Sequence, residues 1–165
     1  MRMLAFVLVV FGLLGGASTS FAQDVNCTGT VGGGATVTPV NGNVTVPGGA
    51  SCTLEFVNVS GSVQVQPGGS LLIAAYDEPS TVGGNIRANK CASALIEGNV
   101  TVDGDVQIEN CTATTENGFQ GPGIMIGGNF QCANNAGFCE AWLGKITGEC
   151  ADREQFRFGL RRQPQ

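Results

Sequence analysis

From Val40 onward the chain keeps returning to one short pattern of apolar and polar positions. An aliphatic residue is followed by any residue, glycine and a polar residue, then by apolar, any, apolar. It appears as Val40-Asn41-Gly42-Asn43-Val44-Thr45-Val46 and again as Val59-Ser60-Gly61-Ser62-Val63-Gln64-Val65. It returns from Val82, Val102 and Ile126, and a shortened copy runs from Ile146 to Cys150. The anchor glycines are Gly42, Gly61, Gly84, Gly104, Gly128 and Gly148, and their spacing is uneven because some copies carry inserts. Alternation of apolar and polar positions over so short a span predicts strands, and the Val, Ile and Thr content agrees. No helical apolar period of useful length follows Ala22. The recurring glycine points to a bend with positive φ or to a close approach of two backbones.

A unit of about twenty-one residues cannot bury its apolar face alone, so the units must stack. The predicted fold is all-β: a right-handed parallel β-helix, or β-solenoid, of about five or six coils. Handedness follows the general rule for parallel crossovers. The aliphatic residues at −2, +2 and +4 from each glycine are expected to line the tube. A β-sandwich of antiparallel hairpins also shows strands punctuated by glycine, but it does not require one motif to recur six times in one phase. The unit Val-x-Gly-Asn-Val-x-Val, followed by Pro47-Gly-Gly-Ala-Ser-Cys-Thr-Leu54 or Pro67-Gly-Gly-Ser-Leu-Leu-Ile73, resembles secreted bacterial parallel β-helix proteins. It is also similar to the polymer-forming repeat of bactofilins. The resemblance covers about Val31 to Cys150 and implies the fold; it carries over no catalytic residue.

The start of the chain reads differently. Arg2, the apolar run Leu4 to Leu14 and the small residues Ser20 and Ala22 have the layout of a secretory signal peptide, with cleavage expected after Ala22. The expected organisation is a leader at 1–22, a solenoid at 23–150 and a basic tail at 151–165 that is flexible or caps the end. Loss of Arg2 with the leader takes the formal charge from −5 to −6. An acidic, exported chain is a poor partner for nucleic acid, and no other stretch is long and apolar enough to span a membrane. The expected location is extracellular or periplasmic.

With no histidine in the chain, Ser-His-Asp triads, Cys-His pairs and histidine metal ligands are excluded. All seven cysteines lie beyond the leader. In an exported chain they point to disulfides, with one left over. Cys91 and Cys111 each fall at the same offset after an anchor glycine, which places them in one column of adjacent coils. The separations Cys27 to Cys52 and Cys132 to Cys150 are also near one coil. Cys139 is then unpaired, and Cys139–Cys150 is an equally short alternative.

Stacking creates two polar stripes. Position +1 reads Asn43, Ser62, Asn85, Asp105, Asn129, Glu149; position +3 reads Thr45, Gln64, Arg87, Gln107, Gln131. They form either a hydrogen-bonded ladder or a flat binding face for a glycan. Inserts add Tyr76, Phe119 and Trp142, which would make an aromatic sugar-stacking patch if they leave the stack on one side. Glu97, Asp103, Asp105 and Glu109 are the carboxylates to consider for Ca²⁺, with Asp103 and Asp105 the candidate ligands, or for acid–base cleavage of a glycoside. Asn26, Asn43, Asn58, Asn99 and Asn110 head Asn-x-Ser/Thr sequons. The expectation is a non-catalytic structural or surface-interaction protein that needs no cofactor. Its partners would be a glycan, a cell-surface polymer or further copies of the chain. The alternative is a carbohydrate-active enzyme, a lyase or hydrolase.

Overall fold

In the computed structural model the described residues are 23–114, 117–137, 139–141, 145–148 and 150–151. The expected leader at 1–22, Trp142 and the residues beyond 151 lie outside them. The described residues hold strands and turns and no helix. β1 (Val25–Asn26), β2 (Thr30–Gly32) and β3 (Thr38–Val40) make the first coil. β4 (Val44–Val46), β5 (Ser51–Glu55) and β6 (Val57–Val59) make the second. In the next two coils the second and third strands fuse: β7 (Val63–Val65) is followed by β8 (Ser70–Val82), and β9 (Ile86–Asn89) by β10 (Ser93–Val102). The fifth coil is β11 (Val106–Glu109), β12 (Asn117–Gln120) and β13 (Met125–Ile126). The sixth is β14 (Phe130–Ala133), β15 (Cys139–Ala141) and β16 (Lys145–Ile146), and β17 (Cys150–Ala151) returns to the first face. The last strand thus takes in Ala151, the first residue of the expected tail.

Every strand pair among the described residues is parallel. The first face is the sheet β1-β4-β7-β9-β11-β14-β17 and the second is β2-β5-β8-β10-β12-β15. The third joins β3 to β6, then the ends of β8 and β10, then β13 and β16. The winding is a β-solenoid, as the repeat predicts. On the first face the pairing is in register throughout: Val44 opposes Val63, Val63 opposes Ile86, Ile86 opposes Val106 and Val106 opposes Phe130. A one-residue slip would turn each of these side chains out into water, so the buried column itself holds the register.

The positions expected inside are inside. Val40, Val59, Val82, Val102 and Ile126 at −2 are buried, as are Val44, Val63, Ile86, Val106 and Phe130 at +2. Position +4 supplies Val46, Val65, Ala88, Ile108 and Cys132. The second face adds Leu54, Ile73, Ile96 and Phe119 in one in-register column. Phe119 meets Phe130 edge-on, with centroids 4.8 Å apart, a favourable aromatic geometry that fills the tube where it needs bulk.

The anchor glycines explain themselves only when stacked. None has a positive φ, so of the two reasons the sequence allows, close approach is the one at work. Gly61 donates its N–H to the Gly42 carbonyl at 2.9 Å, Gly84 to Gly61 at 2.9 Å, Gly104 to Gly84 at 3.1 Å, Gly128 to Gly104 at 3.1 Å and Gly148 to Gly128 at 3.0 Å. A Cβ on Gly104 would lie 2.8 Å from the Gly84 oxygen and 2.4 Å from Asn85 Oδ1. The same column reveals a copy that the sequence pattern hides. Gln23-Asp24-Val25-Asn26-Cys27 stands under the Gly42 unit, with the Gln23 carbonyl 2.7 Å from where a Gly42 Cβ would sit. Gln23 holds the glycine place in the first described coil, where no described coil lies beneath it. That end is a hollow of about 280 Å³ lined by Gln23, Val25, Val31, Thr38, Pro39, Val40 and Asn41.

Two disulfides staple the coils. Cys27 bonds Cys52 with Cα atoms 5.4 Å apart, and Cys91 bonds Cys111 at 4.5 Å. The second joins stacked positions just after the corner residues Lys90 and Asn110, both left-handed at φ 56°. Cys132 is also disulfide-bonded. Its expected pairing with Cys150, and the role of Cys139, lie outside the described side chains.

Gly104→Ala is expected to lower unfolding free energy by about 1–3 kcal/mol through overpacking against backbone. Gln23→Gly is expected to stay within ~0.5 kcal/mol, as for surface changes generally; urea unfolding of the two variants checks the contrast. Removing the second staple as Cys91→Ala/Cys111→Ala is expected to cost about 3 kcal/mol by the loop-entropy estimate. Peptide mapping without reduction checks the pairing.

Candidate functional site

The two polar stripes of the first face have separate roles. At +1 each side-chain oxygen accepts the backbone N–H of the same position in the next coil. Asp24 Oδ1 accepts from Asn43 at 2.8 Å, Asn43 Oδ1 from Ser62 at 2.9 Å and Ser62 Oγ from Asn85 at 3.0 Å. Asn85 Oδ1 accepts from Asp105 at 2.8 Å and Asp105 Oδ1 from Asn129 at 2.7 Å. This relay satisfies amides that the glycine corner leaves outside the sheet ladder. It explains the residue types: only a short side chain carrying oxygen reaches one coil upward.

The +3 stripe is not used in this way. Asn26 opposes Thr45, Thr45 opposes Gln64, Gln64 opposes Arg87, Arg87 opposes Gln107 and Gln107 opposes Gln131. Gln64 and Arg87 are exposed, and Gln107 and Gln131 are half-buried. None of these four side chains makes a hydrogen bond or ion pair among the described residues. The structure therefore brings Gln64, Arg87, Gln107 and Gln131 into one straight row of uncommitted polar groups, repeating at the strand spacing of about 4.8 Å. Arg87 is the one cation in the row. Glu109, one coil on and two positions along, sits beside Asn89 on the same face and carries the opposite charge.

Phe119 cannot join an outward aromatic patch. Phe119 is 1% exposed and belongs to the core, because the insert before β12 leaves Phe119 in register with Ile96. Tyr76 is 69% exposed. It sits on a bulge of β8: Ala75 opposes Gly98 and Ser80 opposes Val100, so residues 76–79 face the single residue Asn99. The third member, Trp142, lies outside the described residues.

The carboxylates expected as a cluster are divided between faces. Glu97 belongs to the second sheet and accepts a hydrogen bond from the Tyr76 hydroxyl. Asp105 is held in the +1 relay, where it also receives the Asn129 amide at 3.2 Å. Glu109 is on the first sheet, and Asp103 is an exposed corner residue. Among the described residues no three of Cys, Asp and Glu converge in a way that could hold a metal ion. Asp103 and Asp105 flank Gly104, and the Asp105 carboxylate is directed to Asn129.

Three buried polar residues gave no signal in the sequence. The Ser80 hydroxyl accepts from Val57 N at 3.2 Å, and Asn117 Oδ1 from Ala94 N at 3.1 Å. Asn135 occupies the column position above Cys111. Its Oδ1 accepts from Cys111 N at 2.8 Å, and its Nδ2 donates to the Ile108 carbonyl at 3.1 Å. They are structural: each satisfies an amide where an insert interrupts a ladder.

Comparison of the chain with protein-family models, curated proteins and solved structures finds no significant match. The likeness to bacterial β-helix and bactofilin repeats thus rests on the repeat itself.

Tyr76 is the only tyrosine, so absorbance reads its ionisation directly. Hydrogen bonding to Glu97 favours the protonated phenol, with desolvation and the Glu97 charge adding to the effect, and raises its pKa above the usual 10.0. Alkaline titration followed by tyrosinate absorbance is expected to show ionisation above the ordinary tyrosine range, and Glu97→Gln to move it down. Unchanged titration would place the hydroxyl away from Glu97 in solution.

Proposed function

We propose that this protein is a non-catalytic, exported structural or surface-contact protein. Its rigid first face engages a glycan or envelope surface. The observation that carries this reading is the straight +3 row: in-register side chains, fixed by a continuous backbone ladder and free of internal partners. The backbone spacing of the row is set before a partner arrives, so binding has only the side chains to order. The buried disulfides suit an oxidising compartment and stabilise a thin stack that has a small core per coil. Two features weigh against the enzyme reading: the candidate carboxylates divide between faces, and Asp105 is engaged by Asn129.

The test is retention of the purified chain on insoluble surface material from the producing cells, with reducing ends measured in parallel. Retention without release of reducing ends is expected, and Gln64→Glu/Gln107→Glu is expected to cut it at least about tenfold by adding two charges to the row. Release of reducing ends that Asp105→Asn abolishes would establish the carbohydrate-active alternative instead.

A further inference from the structure

We infer that the ligand of the first face is an unbranched, neutral, polyhydroxylated chain lying along the solenoid axis and read one ring per coil. This rests on the surface-contact reading and names its ligand. The row from Asn26 to Gln131 has six members and five steps of about 4.8 Å, a length of about 24 Å. An extended polymer of six-membered sugar rings advances by a similar distance per ring. Carboxamide side chains donate and accept through two atoms, and hydroxyls do both through one, as the vicinal hydroxyls of a sugar do, so each coil can meet one ring with paired hydrogen bonds.

The chemistry of the row excludes the other polymers. Its single cation, Arg87, is offset by Glu109 nearby, and the whole chain is acidic; a polyanion such as nucleic acid or an acidic polysaccharide finds no basic track. Among the described residues the first face carries no aromatic at an outward position, and the Val, Ile and Phe side chains of its strands are turned into the tube. A protein partner would lack the buried aromatic and aliphatic anchors on which such interfaces depend. Without aromatic stacking, each ring contributes little, so affinity must accumulate along the row. Arg87 stands in the middle and contributes donors to hydroxyls, for which its charge is not required.

The experiment is calorimetric titration of the full chain with neutral β-linked gluco- and manno-oligosaccharides of increasing length. Oligogalacturonates of the same lengths serve as the anionic series. Affinity is expected to rise at least about tenfold from two rings to six and then to level, because the row has six members. Gln64→Ala/Gln107→Ala is expected to lose about tenfold with an unchanged melting temperature, both side chains being outside the core. Arg87→Gln is expected to stay within about twofold. Affinity independent of length, no neutral binding, or an anionic preference that Arg87→Gln abolishes would each overturn the inference. If the wild type still adheres to surface material and neutral chains fail to compete, the ligand class falls and the contact face stands. If Gln64→Ala/Gln107→Ala adheres as well as the wild type, both fall.

Discussion

The close axial contact at the glycine corner is the constraint on which the rest depends. There the amide of one glycine meets the carbonyl of the glycine one coil below, at hydrogen-bond distance and with no room for a Cβ. This contact sets where each coil begins relative to the last. Inserts of different length are then taken up elsewhere in the turn. The short coil from Gly42 to Gly61 and the long one from Gly104 to Gly128 therefore keep the same register on the first face. The β8 bulge and the fused strands of the third and fourth coils are tolerated because the corner resets the winding each time.

Stacking in register turns a one-dimensional repeat into columns with distinct tasks. Apolar columns at −2, +2 and +4 meet in the tube and supply the burial that no single coil can provide. The +1 column is consumed by hydrogen bonds between coils, which also accounts for its restriction to Asn, Asp and Ser among the described residues. The +3 column lies between two inward positions, points out and is asked to satisfy nothing. Its freedom within the fold is what makes it available to a partner, and its rigidity comes from neighbours that are not free.

The carboxylates and aromatics show how proximity along a chain misleads in a solenoid. Glu97 and Asp105 are near neighbours in sequence, yet Glu97 lies on the second sheet and Asp105 in the corner before the first-face strand β11. Gln64 and Gln131 lie three coils apart and share one straight row. Phe119 follows a turn-rich insert and reads as a loop aromatic, but the coil closes after the insert and returns it to the core column beside Ile96. Gln23 is unreadable as part of the repeat because the feature that defines the pattern, glycine, is required only where a coil lies beneath.

Legible in the amino-acid order were the strands, the stacking, the inward columns and the shared column of Cys91 and Cys111, whereas Cys27 and Cys52 were matched only by a separation near one coil. The strands, the columns and the Cys91–Cys111 match follow from periodicity: a residue's offset from its anchor glycine decides its column, and stacked positions within a column are one strand spacing apart. Only the folded chain settles which polar stripe is spent and which is free, because a short oxygen-bearing side chain reaches the amide one coil on from the corner position, whereas the +3 side chains stand on the strand and point out. It alone placed Ser80, Asn117 and Asn135 in the interior, since each answers an amide a full coil away that a local pattern does not register.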